Sequence, residues 1–221
     1  RWIAYESEVD GKDGLFRKRA DGTGDAEVVL APGAMQFPAP TSWSPDGRLV
    51  MFQPDGGGGR SDLYVVDVDG KGKPEPVVKT QYDESGGVFS PDGRWVAYTS
   101  DETGRREVFV TSFPPGGGKW QISDGGGSQP KWSRDGRELF FRSDEGVMSA
   151  RVAAEVALRE DELHFRVDLL GGAAHQSVRV RHVDDACDAG GRRAEQRAPD
   201  DVDLLVVAEH EAALVVVGLA G

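Results

Sequence analysis

The sequence predicts an all-β fold: an incomplete β-propeller of about three to four four-stranded antiparallel blades, with a non-propeller or disordered C-terminal tail. Three observations predict it. A ten-residue segment recurs at residues 43–52, 89–98 and 132–141, with its glycine 46 and then 43 residues apart. Each repeat contains short runs rich in aromatic and β-branched residues, which favour strands. The aromatic residues lie almost entirely before residue 152, since only one of nine Phe and none of five Trp follow it.

The repeat length is that of a propeller blade, which needs about 40 to 50 residues for four strands. In one unit we expect the innermost strand at 87–89 and the next three at 95–98, 107–111 and 119–122. The Ser-Pro-Asp-Gly segment between the first two strands is typical of a hairpin turn. The four blade repeats are expected at about residues 1–42, 43–88, 89–131 and 132–152.

The residues of the repeated turn motif are interpreted as structural. The aromatic ring that opens each copy is expected to lie between neighbouring blades, where its burial contributes about 2 to 3 kcal/mol. Proline presets the turn, aspartate bonds its own backbone, and glycine adopts positive φ. The motif residues are Trp43, Ser44, Pro45, Asp46, Gly47, Phe89, Ser90, Pro91, Asp92, Gly93, Trp132, Ser133, Asp135 and Gly136.

A further copy of the repeat is cut by the start of the chain. Residues 1–7 repeat residues 94–100 almost identically, which indicates that the chain begins inside a blade. Three full repeats and part of a fourth fall short of most closed rings. We therefore expect an open arc whose edge strands favour self-association.

The segment 153–221 differs from the rest and is assigned to a separate, atypical tail. Another turn motif is expected near residue 179 and is missing there. Three explanations stay open for the tail: a genuine non-propeller or disordered extension, a degenerate last blade, or a shifted reading frame in a high-GC gene. The excess of Ala, Arg, Val, Gly and Asp favours the shifted frame.

The repeated W/F-S-P-D-G-R-x-V-A-Y segment resembles the TolB-type, WD-like propeller repeat of bacterial proteins, over roughly residues 1–152. The last unit, residues 128–150, is similar to closing repeats of propellers that follow some bacterial serine/threonine kinase domains. The resemblance implies binding of a protein or small ligand by loops around a central channel, on the periplasmic or extracellular side of a bacterial envelope. It implies no catalytic residue.

The net charge of the chain limits the classes of binding partner that we expect. The chain has 26 basic and 38 acidic residues and a formal net charge of −12. This disfavours nucleic acid and anionic membrane surfaces, which attract positive charge. No apolar run of 18 residues is present, so direct membrane insertion is not expected. The expected partner is a protein or peptide, or a small ligand, with basic ligands favoured.

The sequence signals for catalytic or metal-binding residues are weak. All four His lie after residue 152, so the propeller segment lacks the base of a nucleophilic triad. Asp67-Val68-Asp69-Gly70 resembles the start of a calcium loop but lacks the later glutamate, which favours a hairpin turn. His182, Asp184, Asp185 and Cys187 match no metal-ligand spacing. We expect no catalytic residue, no cofactor and no metal.

The sequence therefore predicts a protein- or ligand-binding propeller module, a sensor or scaffold part of a larger bacterial protein. The alternative is the propeller half of a multidomain enzyme, either a prolyl oligopeptidase-type hydrolase or a serine/threonine kinase. In that case the catalytic domain lies outside this chain, because neither a G-x-S-x-G nor the kinase motifs are present.

Overall fold

The computed structural model describes residues 1–56, 59–69, 72–153, 164–169 and 181–182. Their regular structure consists entirely of β-strands, arranged in four antiparallel sheets that follow one another along the chain. The all-β fold and the four-stranded antiparallel blades of an incomplete propeller are confirmed.

The first sheet has three strands and the second has four. They are β1 (Trp2–Val9), β2 (Lys12–Arg19) and β3 (Glu27–Leu30), followed by β4 (Ala39–Trp43), β5 (Leu49–Gln53), β6 (Leu63–Asp67) and β7 (Glu75–Val78). By its repeat position β1 corresponds to the second strand of a blade, so it forms an edge of the first sheet.

The third and fourth sheets repeat the order of the second. Their strands are β8 (Glu84–Phe89), β9 (Trp95–Ser100), β10 (Glu107–Ser112) and β11 (Lys119–Gln121), then β12 (Ser128–Trp132), β13 (Glu138–Ser143), β14 (Gly146–Ala153) and β15 (His164–Leu169). The short strand β16 (Arg181–His182) adds to the outer edge of β11.

The sheets begin upstream of the turn motif, because the innermost strand precedes it. In the second sheet, for example, the innermost strand begins at Ala39 and the motif opens at Trp43. In the fourth sheet β15 pairs with β14 and lies beyond residue 152. The predicted boundary between a propeller at residues 1–152 and a tail at residues 153–221 stays a prediction.

Three apolar clusters lie between neighbouring sheets. The cluster between the second and third sheets joins Met51 and Leu63 to Phe89, Val96 and Tyr98. Similar clusters join the first sheet to the second and the third to the fourth. The middle strands of the second and third sheets are buried on both faces, since these two blades have a neighbour on either side, and this explains their nearly continuous apolar sequence.

One ring pair recurs from blade to blade across the second and third strands. Tyr5 stacks on Phe16, and the equivalent Tyr98 stacks on Phe109, with ring centroids 5.9 and 5.8 Å apart. Phe52 and Tyr64 occupy the same positions in the second sheet. In the fourth sheet Met148 stands where the second ring is expected, opposite Phe141.

Candidate functional site

The turn motif between the first two strands of a blade satisfies its own polar groups. In the second sheet Ser44 Oγ donates to Asp46 Oδ1 at 2.5 Å and accepts the backbone N–H of Leu49 at 2.9 Å. The same Asp46 oxygen accepts the N–H of Arg48 at 3.1 Å. The hydrogen bonds from Ser44 and Arg48 lower the pKa of Asp46 below its ordinary value of 3.8.

The other two copies have the same geometry. Ser90 Oγ donates to Asp92 Oδ1 at 2.6 Å, and Ser133 Oγ donates to Asp135 Oδ1 at 2.7 Å. The three motif glycines have positive φ, between 70° and 73°. Glycine tolerates this conformation without the steric cost of a β-carbon.

The motif residues also lie at the contacts between blades. Phe89 is buried in the cluster between the second and third sheets, and Trp43 and Trp132 pack against the other two clusters. A β-carbon on Gly93 would lie 3.4 Å from Pro45 Cδ of the preceding blade. Gly136 stands in the same relation to Pro91. The turns therefore stack side by side at one end of the arc, the turn face.

The opposite end of the blades carries the connections between second and third strands and the connections between blades, because antiparallel strands alternate in direction. We name it the loop face. Its described residues are those of the connections between second and third strands, 10–11, 54–56, 59–62, 101–106 and 144–145, and those of the connections between blades, 31–38, 79–83 and 122–127. These loops differ in length and sequence from blade to blade, whereas the three copies of the turn motif are nearly identical.

Side-chain contacts fix the loop face between the second and third blades. Asp83 accepts the backbone N–H of Ser61 at 2.9 Å and the guanidinium of Arg106 at 2.9 Å. Arg60 donates to the carbonyl oxygen of Gln81 at 2.7 Å. Charge-assisted hydrogen bonds of this kind are stronger than neutral ones. The loop at 79–83 is thus joined to both of its neighbours.

Glu84 is a completely buried carboxyl group at the loop-face end of β8. Its side chain accepts hydrogen bonds from the hydroxyl and the backbone N–H of Thr80. Burial raises the pKa of Glu84 from 4.5 to about 7, against the lowering effect of Thr80, and the neighbouring carboxylates of Asp62 and Glu102 raise it further.

Glu107 is equally buried at the start of β10 but has a different set of partners. Its carboxylate accepts the hydroxyl of Ser123 and the backbone N–H groups of Gly125 and Gly126, the last two at 3.1 and 2.9 Å. Arg105 Nε donates to it at 2.6 Å. Glu107 therefore holds the loop that leads into the fourth blade.

The described part of the chain contains no group of three or more His, Cys, Asp or Glu arranged to hold a metal ion. Asp67 Oδ1 accepts the N–H of Asp69 at 2.8 Å, a local turn contact. Of the tail cluster only the backbone of His182, in β16, is described; Asp184, Asp185 and Cys187 lie outside the described residues. No helix suited to crossing a membrane occurs among the residues that were placed.

No local sequence pattern points to Asp83, Glu84 or Glu107. Asp83 and Glu84 belong to a stretch that resembles an ordinary acidic loop, and Glu107 follows two arginines. Their low exposure arises from contacts with neighbouring segments. One signal is available in the repeat alignment. Asp62 and Glu107 occupy equivalent positions before the third strand, and Arg60 and Arg105 precede them by two residues.

Comparisons with known proteins agree with this architecture. The family model described as TolB beta propeller domain matches residues 1–163. A TolB structure from Agrobacterium tumefaciens is 23% identical, with a TM-score of 0.55, covering 75% of this chain and 56% of that one. TolB from Acinetobacter baumannii is 18% identical, with a TM-score of 0.52, covering 79% of this chain and 42% of that one.

These structural similarities show the fold, and the chain spans about half the length of the TolB proteins that it matches. The family model covers well over half of the sequence, including every copy of the turn motif. The resemblance carried by that motif is thereby confirmed, and the chain belongs to the TolB beta propeller domain family.

Proposed function

We propose that this chain is a binding module whose loop face receives a protein or peptide, or a small ligand, without carrying out chemistry on it. The observation that carries this proposal is the contrast between the repeated turn motif and the loop face. The turn motif has nearly the same residues in the second, third and fourth blades, as a scaffold requires, while the loop face carries different residues in each blade. Binding residues are found preferentially on such loops.

The contacts within the loop face support the proposal, because they order the loops before any partner arrives. Asp83 and Glu107 are largely buried, and their partners Arg105 and Arg106 keep 55% and 62% of their side chains exposed. Cationic groups are thus held in place and remain accessible. Ordered loops bind with a smaller loss of conformational entropy than flexible ones.

A selection from a random dodecapeptide library against the immobilised full chain tests this proposal. We expect peptides that bind with Kd in the micromolar range and that slow amide hydrogen exchange in loop-face residues, such as 79–83 and 101–106. Exchange at the turn residues 44–48 should not change. Selection of turn-face binders alone, or hydrolase or kinase turnover by the purified chain, would contradict the proposal.

The module is proposed to serve as a sensor or scaffold part of a larger bacterial protein, on the periplasmic or extracellular side of the envelope. The similarity to TolB structures supports this, and the chain corresponds to about half of their length. The DNA flanking the gene tests it. An upstream kinase domain with a membrane span supports the sensor, and a downstream G-x-S-x-G with its Asp and His contradicts it.

The isolated chain is also proposed to self-associate through β1. This strand pairs with β2 on one side and forms an edge of the first sheet on the other. Ile3 on this strand is 47% exposed. An unpaired edge with apolar side chains favours pairing with another strand.

A further inference from the structure

Phe37 combines two features that folded proteins usually avoid. Its side chain is 49% exposed, and its backbone has a φ of 44°. Positive φ is a genuine outlier for a bulky residue and strains the backbone. Such a residue persists where its surroundings hold it and where its position serves a function.

The backbone of Phe37 is held on both sides. Its N–H donates to Asp13 Oδ2 at 3.3 Å, and its carbonyl oxygen accepts the N–H of Ala39 at 2.9 Å. The same loop is joined to the first blade, where Gly33 N–H donates to the Asp13 carbonyl at 2.8 Å. The phenyl ring is therefore presented to solvent by a fixed segment of the loop face.

Phe37 differs from the other exposed apolar residues of the described chain. The exposed large apolar residues are Ile3, Val9, Val28, Phe37 and Val147. Among these five, Phe37 alone is aromatic and alone has a positive φ. The Phe37 ring is thus an exposed apolar group beside the β1–β2 hairpin that carries Asp13.

The hairpin beside this ring is acidic. The hairpin segment 8–13 carries the carboxylates of Glu8, Asp10 and Asp13 against the single ammonium of Lys12. On the other side the loop of Phe37 is joined to the second blade, where the backbone N–H of Asp55 donates to the carbonyl of Gln36 at 2.9 Å. Lysine and arginine on a partner would find complementary charge here.

We infer that Phe37 is an anchor for an extended basic peptide segment, in which an apolar side chain packs on the ring and flanking Lys or Arg residues face the carboxylates. The inference rests on the proposed function of the loop face and names its partner class. Exposed aromatic residues are frequent energetic centres of interfaces. Arginine also stacks favourably on aromatic rings.

A stability measurement separates this role from a structural one and needs no partner. Asparagine tolerates positive φ but lacks the ring. We expect Phe37→Asn to leave the Tm of the full chain within about 2 °C of the unchanged protein. A fall of more than about 5 °C would show that the ring stabilises the fold and would overturn the inference.

A binding measurement uses the peptides selected from the dodecapeptide library. We expect a major class that contains an apolar residue flanked by Lys or Arg and that binds Phe37→Asn at least about 30-fold more weakly. Val28→Ser removes an equally exposed apolar side chain on β3 and should leave the affinity unchanged. Asp10→Asn should weaken binding, as should raising the NaCl concentration from about 50 to 500 mM.

The outcomes distinguish the inference from the proposed function. If the selected peptides protect other loop-face residues and bind Phe37→Asn normally, the inference fails while the proposed function stands. Peptides rich in Asp and Glu, or an affinity that does not change with salt, overturn the inferred chemistry of the partner. If loop-face binders are absent, both fail.

Discussion

The hydroxyl of Thr80 donates to the carboxyl group of Glu84, which is completely buried between the loops of the second and third blades. Burial raises the pKa of this group from 4.5 to about 7. The backbone of Glu84 is fixed as well, since its N–H donates to the Ser61 carbonyl at 2.8 Å. The protonation of one side chain is thereby linked to the joint between two blades.

The first prediction concerns stability and pH. Between about pH 4.5 and 7 the folded chain retains a proton on Glu84 that the unfolded chain has lost, so stability falls as pH rises through this window. The shift corresponds to roughly 3 kcal/mol. We expect a lower free energy of unfolding at pH 8 than at pH 5 in urea denaturation, and Glu84→Gln should reduce this difference.

Glu107→Gln is the matched control, because Glu107 is equally buried but accepts two backbone N–H groups and the Arg105 guanidinium. Its carboxylate is stabilised by these donors, so the amide should lower stability at pH 8 by roughly 1 to 3 kcal/mol. Glu84→Gln should not lower stability at pH 8. Equal losses in both variants would show that Glu84 does not destabilise the folded chain in its charged form.

Gly87→Ala tests the close approach between the second and third blades. A β-carbon at this position would lie 2.5 Å from Met51 Sδ and 2.9 Å from Leu63 Cδ1. Both side chains are buried in the intervening cluster, so we expect a loss of roughly 1 to 3 kcal/mol in the free energy of unfolding. Gly72→Ala, whose β-carbon would have an ordinary 3.6 Å contact, should change stability by less than about 0.5 kcal/mol.

Much of the fold follows from the sequence, because the repeat determines both the strand order and the turns. The predicted strands around Trp95 and Phe109 are present, each extended by one or two residues. Gly87 has no recognisable signal, since it belongs to no turn and its small size matters only against Met51 of another blade. Contacts between repeats depend on how the blades are packed, which local patterns do not specify.

The buried carboxylates and Phe37 on the loop face could not be predicted from the sequence, because they too depend on contacts between distant segments. A net charge of −12 says nothing about which carboxylates are buried, and Glu84 resembles its exposed neighbours in sequence. Positive φ at Phe37 is likewise not encoded by a turn residue. The segment is held by the hydrogen bond from the Phe37 N–H to Asp13, which lies 24 residues earlier in the chain.

Ser90→Ala tests the turn motif. Ser90 is buried, donates to Asp92 and accepts the N–H of Trp95 at 3.0 Å, so alanine leaves both partners without this contact. We expect a loss of roughly 1 to 3 kcal/mol in chemical denaturation. Ser133→Ala removes the same pair of contacts at a partly exposed position, where water replaces them, and should cost less than about 1 kcal/mol. Equal losses would contradict this explanation.

Ile3→Lys tests self-association through β1. A charged side chain on an exposed edge strand opposes pairing with a second strand, and Ile3 is already 47% exposed in the single chain. We expect sedimentation velocity to show less oligomer for this variant than for the unchanged chain at equal concentration. Val147→Lys is the control, because Val147 is 52% exposed on β14, a strand paired on both sides by β13 and β15. Since that position has no open edge, the same added charge should leave the oligomer fraction unchanged. An equal decrease in both variants would show that net charge governs association and that the edge of β1 does not.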